Sequence, residues 1–387
     1  MQTTNSAYAT TLSRINTKNM EAPPTLPIPP EEIIEHISMS EEAVVEVRSR
    51  KTTRLRPGIL VLGSGGIKGL GIIGGIIALE REGYLKRIHT YVGTSIGAVI
   101  SLMLIAGCTI YEILELGLHS TILCPWSEMH KVDTTILTTY GPIPHEKTVQ
   151  PTVDIIMKKY GKIPTLKELY DMTGKRLVMV SGNLHDRKPE YFDYITHPDM
   201  PCVAGMTASM LLAGILSKFM YNGKLYIDGA FVDPYAAAYL DDGEEYIIGL
   251  NVVGIDSDPN SSYATYMLCA MSLSFDRIQE LTIKHVSDRV MTIELRLPDI
   301  SIMDKAKDIN LRLKCFNAGI RQTMEGIARL RGKSYEEYYG ASVMPPTHID
   351  VPVHNIKHVS SNNTSSNRSN RFAMALGRIP VPRLGQH

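Results

Sequence analysis

The first clear pattern along the chain is an unbroken apolar run, Ile59-Leu60-Val61-Leu62, with glycines directly behind it. Four consecutive apolar residues stopped by turn residues read as a strand buried on both faces. The next apolar residues, Leu70, Ile73, Ile76, Ile77 and Leu79, fall at helical spacing, so a helix follows the glycines. The alternation then repeats. His89–Val92 predicts a second strand, Gly93–Gly97 a turn, and the run to about Ala106 a helix. Further strands are expected at Leu177–Ser181, Tyr191–Ile195, Leu225–Ile227 and Tyr246–Val252, with helices at Pro151–Tyr160, Thr165–Asp171 and Thr207–Leu216. Strands alternating with helices imply an α/β protein of three layers, α/β/α, around a mainly parallel central sheet. Residues 262–331 read as mainly helical, and Leu311, Phe316, Ile320, Met324 and Ile327 give Ile309–Leu330 one apolar face.

Between Ile88 and Tyr111 there is no Asp, Glu, Lys or Arg, a length that could cross a bilayer. The Gly-Thr-Ser-Ile-Gly turn divides that stretch, so a buried strand–turn–helix is the better reading. Four parts are expected. Residues 1–57 form a polar, Pro-rich extension: Pro23, Pro24, Pro27, Pro29 and Pro30 stiffen it, Glu31–Val47 suits a short amphipathic helix, and a basic run from Arg48 to Arg56 leads into the fold. An α/β body spans 58–255, and a mainly helical part at 256–340 packs on it. Residues 341–387 read as a disordered basic tail, Ser/Asn-rich and, from 351 onward, free of Asp and Glu.

Composition narrows the classes. Of 387 residues, 44% are hydrophobic and 21% charged, which excludes disorder throughout, a collagen-like fibre and a coiled coil. Forty basic side chains balance forty acidic ones, so there is no global basic field and no nucleic-acid partner is expected. The five cysteines (Cys108, Cys124, Cys202, Cys269, Cys315) are scattered without a CxxC pair, which suggests neither a zinc site nor a disulfide framework. Free thiols fit a reducing compartment, and no secretory signal opens the chain, so a cytoplasmic location is expected.

Candidate chemistry begins at Gly93-Thr94-Ser95-Ile96-Gly97. G-x-S-x-G between a strand and a helix is where a nucleophile elbow belongs. The sharp turn lifts the Ser95 hydroxyl clear of the sheet, and the helix behind it aims its N-terminal amides at a developing oxyanion. An ordinary glycine-rich turn is the competing reading. The loop Gly63–Gly69 follows a strand and precedes a helix, as a dinucleotide fingerprint does, but the G-x-G-x-x-G frame is not met and no P-loop pattern exists. Gly65 and Gly66 suit an oxyanion hole built from backbone N–H groups. Lys68 either adds positive charge for an anionic head group or simply faces solvent. None of the twelve histidines sits in a recognisable catalytic motif. Asp228, which closes the strand-like Lys224–Ile227 and precedes Gly229 and Ala230, would reach an active-site crevice at a strand end of a parallel sheet. Its bland alternative is an Asp starting a turn.

Taken together, Ser64-Gly65-Gly66-Ile67-Lys68-Gly69, Gly93–Gly97 and Asp228-Gly229-Ala230, in this order, resemble the patatin-like phospholipase family. Ala208-Ser209 and Asn222–Tyr226 support the match, which covers about 58–255 with Leu297-Pro298-Asp299 to Gly319 as a continuation. Ser64 departs from the pattern, where the family usually has glycine. The resemblance implies a Ser95–Asp228 dyad without a catalytic histidine, an oxyanion hole at Gly65 and Gly66, and motif support from Ser64, Lys68, Gly69, Gly93, Gly97, Gly229 and Ala230. It implies no metal and no nucleotide cofactor. The substrate class is acyl lipids, from phospholipids to neutral glycerides, with peripheral contact at a lipid surface, to which the basic tail would contribute. Within Met206–Met220, Met210, Leu211, Leu212, Ile215 and Phe219 suit either an acyl channel or plain core. Two other functions stay open: a nucleotide-binding α/β protein, and a catalytically idle patatin-fold structural or interaction protein.

Overall fold

The computed structural model describes residues 56–119, 136–254, 258–260, 263–297 and 308–340, all within the unit Arg54–His387. The Pro-rich extension, the Glu31–Val47 helix, Cys124, the Leu297-Pro298-Asp299 motif beyond its leucine and the basic tail lie outside them. Strands are β1 (Ile59–Leu62), β2 (Thr90–Thr94), β3 (Arg176–Asn183), β4 (Lys188–Phe192), β5 (Phe219–Tyr221), β6 (Lys224–Asp228), β7 (Ile247–Val252) and β8 (Val290–Leu295). Helices are α1 (Gly69–Arg81), α2 (Ile96–Ile105), α3 (Ile110–His119), α4 (Ile136–Thr139), α5 (His145–Tyr160), α6 (Leu166–Thr173), α7 (Cys202–Ser209), α8 (Tyr263–His285), α9 (Ile309–Leu330) and α10 (Tyr335–Tyr339).

The eight strands form one sheet. β8, β7, β1, β2 and β3 run parallel to their neighbours, whereas β4 and β6 run antiparallel to β3 and β5 antiparallel to β6. β1 shows why the core has two halves. Leu60 and Leu62 face a cluster with α1, α2 and α9, and Ile59 and Val61 face a second cluster with Tyr235, Ala236 and Ala237. This period-2 alternation of a fully apolar strand is what burial between two layers demands. The fold is therefore a three-layer α/β/α sandwich with a mainly parallel sheet.

Several expected elements moved. β4 ends at Phe192, earlier than the strand read at Tyr191–Ile195. α5 begins at His145 and contains Pro151 within it. The helix expected at Thr207–Leu216 lies instead at Cys202–Ser209, because Gly214, at φ 77°, belongs to an irregular stretch that cannot stay helical. β8 falls in the part expected to be mainly helical. Its own alternation, with Met291, Ile293 and Leu295 buried and Glu294 exposed, is a strand signal. α1 and α9 meet at their backbones. A Cβ added to Gly74 would stand 2.1 Å from the Phe316 carbonyl oxygen, and one added to Gly319 would stand 2.0 Å from that of Gly71.

Candidate active site

β3 is the key to the site. Its residues Arg176–Val180 pair with β2, its residues Ser181–Asn183 pair with β6, and β4 pairs with Met179–Asn183. A strand has two edges, and β4 overlaps both other partners, so β2 and β6 share the opposite edge and meet end to end. Thr94 pairs with Val180 and Asp228 with Ser181. Consecutive positions on one strand thus bring the elbow after β2 to the last residue of β6. Asp228 does end a strand, but an antiparallel one, in contrast to the parallel setting expected.

Ser95 occupies the turn at φ 57° and ψ −122°, a left-handed conformation that a non-glycine residue adopts only when its surroundings impose it. Those surroundings are identifiable. A Cβ on Gly93 would lie 2.5 Å from the Ala98 nitrogen, and one on Gly97 only 2.2 Å from the Leu62 carbonyl oxygen. The Ser95 N–H donates to Ser209 Oγ at 2.9 Å, which fixes the elbow from α7. Gly69 is equally constrained, since a Cβ there would meet the Ile96 side chain at 2.5 Å.

The Ser95 hydroxyl donates to Asp228 Oδ2 at 2.7 Å. Asp228 Oδ1 accepts the Ala230 N–H at 2.8 Å, and its own N–H donates to the Leu211 carbonyl at 2.8 Å. A Cβ on Gly229 would strike the Val180 carbonyl oxygen at 2.3 Å, so glycine is required for the chain to turn here. Ser181 Oγ lies 2.8 Å from the Ile227 carbonyl and 2.9 Å from that of Ala208, joining β6 to α7. Both side chains, Ser95 and Asp228, are buried. Burial pushes the Asp228 carboxyl up to about 6, against the opposing pull of the Ala230 amide and the Ser95 hydroxyl. No histidine is among the partners of Ser95 or Asp228 in the described residues.

The glycine loop approaches from β1. The Gly63 N–H is taken by the Leu250 carbonyl and the Ser64 N–H by that of Pro234. Among the described residues, no loop or turn carbonyl accepts from Gly65 or Gly66. Gly66 sits at φ 52° with nothing within 4 Å of a built Cβ, and it is exposed. Lys68 does not face solvent as one reading had it. It is buried, and its Nζ donates to the Gly254 carbonyl at 2.8 Å. Of the apolar stretch after α7, Met210, Leu211, Ile215 and Phe219 pack into the core, which favours the packing reading over a channel for these four, while Leu212 is half-buried.

Sequence reasoning did not find Asp233. Its carbonyl accepts the Thr94 hydroxyl at 3.0 Å, and its Oδ2 accepts the Tyr191 hydroxyl at 2.8 Å. Burial lifts this carboxyl to about 6 as well. No local motif announces it, because each partner comes from another strand. No three His, Cys, Asp or Glu side chains cluster to hold a metal among the described residues. No described helix is long and apolar enough to cross a membrane.

A strained serine on a strand–helix elbow, bonded to a buried aspartate at the end of the neighbouring strand, defines an α/β protein with a serine–aspartate pair. Residues 60–241 match the family of patatin-like phospholipases, and the chain carries a domain of that family over this segment. A "probable lipid hydrolase 463L" of Invertebrate iridescent virus 6 is 27% identical over 176 residues, 44% of this chain and 58% of that relative's length. The "uncharacterized protein R571" of Acanthamoeba polyphaga mimivirus is 23% identical over 70% of this chain and 94% of its own. Among solved structures, VipD from Legionella pneumophila superposes with a TM-score of 0.46 at 17% identity, covering 74% of this chain and 72% of VipD.

Proposed function

We propose that the protein is a lipid acyl hydrolase, of phospholipase A or acylglycerol lipase type, working through Ser95 and Asp228. The observation that carries this reading is the 2.7 Å hydrogen bond between the Ser95 hydroxyl and the Asp228 carboxylate at a buried strand–helix elbow. Ser95 Oγ attacks the acyl carbonyl carbon as Asp228 takes the hydroxyl proton. A carboxyl lifted to about 6 is a stronger base than an ordinary aspartate and is still ionised at neutral pH. The tetrahedral oxyanion is held by the amides of Gly65 and Gly66, with the positive end of α2 behind Ser95. When the intermediate collapses, the proton passes from Asp228 to the departing alcohol and leaves an acyl-serine. Water then attacks that ester with Asp228 again as base, and releases a fatty acid and the free serine.

The site belongs at a lipid surface in this reading. Along α8, Ser272 and Gln279 are buried, while Tyr266, Met267 and Leu273 are exposed, Leu273 by 72%. Its Phe275 packs edge-on against Phe231 at 5.1 Å, next to the Gly229–Ala230 turn. α8 thus touches the turn beside Asp228 through Phe275 and exposes Tyr266, Met267 and Leu273 on another side, and we assign those exposed apolar side chains to contact with the lipid surface from the cytoplasmic side. The test is hydrolysis of a defined panel of phospholipids and glycerides in vesicles, beside a soluble short-chain ester. Wild type should release fatty acid and Ser95→Ala none. Leu273→Glu should lose vesicle hydrolysis and keep the soluble ester. Ser95→Ala turning over at the wild-type rate removes the proposal.

A further inference from the structure

The end of the sheet opposite Ser95 holds a cavity of about 390 Å³, within the range of small-molecule sites, roughly 300–1,000 Å³. It lies where β1 and β2 begin and where α1 and α9 end. Arg56, Arg81, Lys86, Arg87 and Arg331 line it. Elsewhere the basic side chains of Lys162, Lys167, Arg176 and Lys224 each have a carboxylate partner. Among the described residues none of the five around this cavity forms an ion pair. The one carboxylate in the lining is Glu82, which accepts from the Tyr338 hydroxyl at 3.2 Å.

Two buried polar atoms in the lining also lack partners, the hydroxyl of Tyr84 and Nε of Arg331. Leaving such groups unpaired is costly, and Arg331 lies over the Tyr84 ring with its guanidinium carbon 5.8 Å from the centroid. The C-terminal ends of α1 and α9 contribute about half a negative charge each. Against these and Glu82, five cations leave the cavity at about +3. Four of the five are arginines, whose planar forks match phosphate oxygens in pairs.

We infer that this cavity is a binding site for clustered phosphates, either a free polyphosphate compound or the phosphorylated head group of a lipid. Because it opens at the N-terminal ends of β1 and β2, whereas Ser95 follows the C-terminal end of β2, an occupant leaves the Ser95–Asp228 pair free. Binding is measured by calorimetry with inorganic tripolyphosphate, and by sedimentation with phosphatidylcholine vesicles with and without phosphatidic acid. The variants are Lys86→Glu/Arg87→Glu, both exposed, and the charge-matched control Lys147→Glu/Lys158→Glu on α5. Circular dichroism checks each fold, and Arg81→Gln replaces the first variant should that misfold. Wild type should bind saturably, more weakly as salt rises. The cavity variant should lose about tenfold or more in affinity while the control stays within about twofold. Hydrolysis of a soluble ester should remain in both. Binding of tripolyphosphate alone identifies a free polyphosphate, and cavity-dependent binding to phosphatidic acid vesicles identifies a head group. No binding by wild type, or equal binding by cavity variant and control, overturns the assignment.

Discussion

Asp228 and Asp233 share a condition and differ in what surrounds them. Both carboxyls are buried near the same elbow, and burial lifts each to about 6. Asp228 pairs with Ser181 on β3, and one oxygen faces the Ser95 hydroxyl. Asp233 stands behind Thr94, which pairs with the preceding residue of β3, and its side chain faces the Tyr191 phenol instead. Consecutive strand positions point to opposite faces, so one carboxylate meets the Ser95 hydroxyl and the other a phenol. The comparison teaches that neither a lifted carboxyl nor a bonded hydroxyl by itself marks a base, since Asp233 has both. The mark is whose hydroxyl it is: a serine held at positive φ on the strand–helix elbow for Asp228, a phenol for Asp233.

The largest expected effect separates the two directly. Asp228→Asn should lower kcat on any ester by several orders of magnitude, because the coupled nucleophile–base unit loses its proton acceptor. Asp233→Asn should stay within about tenfold, since an amide oxygen still accepts the Tyr191 hydroxyl and the bond from Thr94 ends on the backbone. Steady-state kinetics with a soluble ester decides it, and near-normal turnover in Asp228→Asn would break the comparison.

Gly66 sharpens the same contrast between chemistry and packing. Its φ of 52° strains any side chain, yet a Cβ would meet nothing, so Gly66→Val should twist the loop without a clash. Misaiming one oxyanion donor costs about 10²–10³ in kcat, against a fold cost of about 1–2 kcal/mol. Kinetics and thermal unfolding on one preparation should show turnover collapse with little change in KM and a small Tm shift. A large Tm shift with normal turnover would assign the glycine to packing.

The motifs that sequence made legible are those written as short glycine-flanked turns. Gly93 is demanded by the backbone of Gly97 and Ala98 in its own turn, Gly97 and Gly229 by the Leu62 and Val180 carbonyls of neighbouring strands, and Ser95 and Asp228 stand inside those turns. Ser209 is different: its motif was visible, yet its grip on the Ser95 amide depends on where α7 packs. Asp233 and the end-to-end meeting of β2 and β6 were invisible, because they depend on the pairing order of β3. β8 was legible and overlooked, its alternation masked by the helical patterns on both sides of it.

The smallest effect is on stability. Asp233 titrates at about 6 when folded, against an ordinary 3.8. The folded state therefore holds its proton more tightly, and the stability this adds is complete below about 4 and lost as pH rises through about 6. A shift of this size corresponds to roughly 2–3 kcal/mol. Asp233→Asn removes the burden of a buried charge, so its Tm should exceed that of wild type at pH near 8 and converge with it near 4. Parallel unfolding curves across that range would mean that the carboxylate is better solvated than its burial implies.

The central claim is that Ser95 is the nucleophile and Asp228, not Asp233, is its base. The most direct measurement is the rate of labelling by an alkyl fluorophosphonate as a function of pH, with the modified residue located by peptide mass spectrometry. The account predicts a single adduct on Ser95, formed at a rate that rises through about pH 6 in wild type and in Asp233→Asn alike, and no measurable labelling in Asp228→Asn. An adduct on another residue, or wild-type labelling in Asp228→Asn with loss in Asp233→Asn, would contradict it.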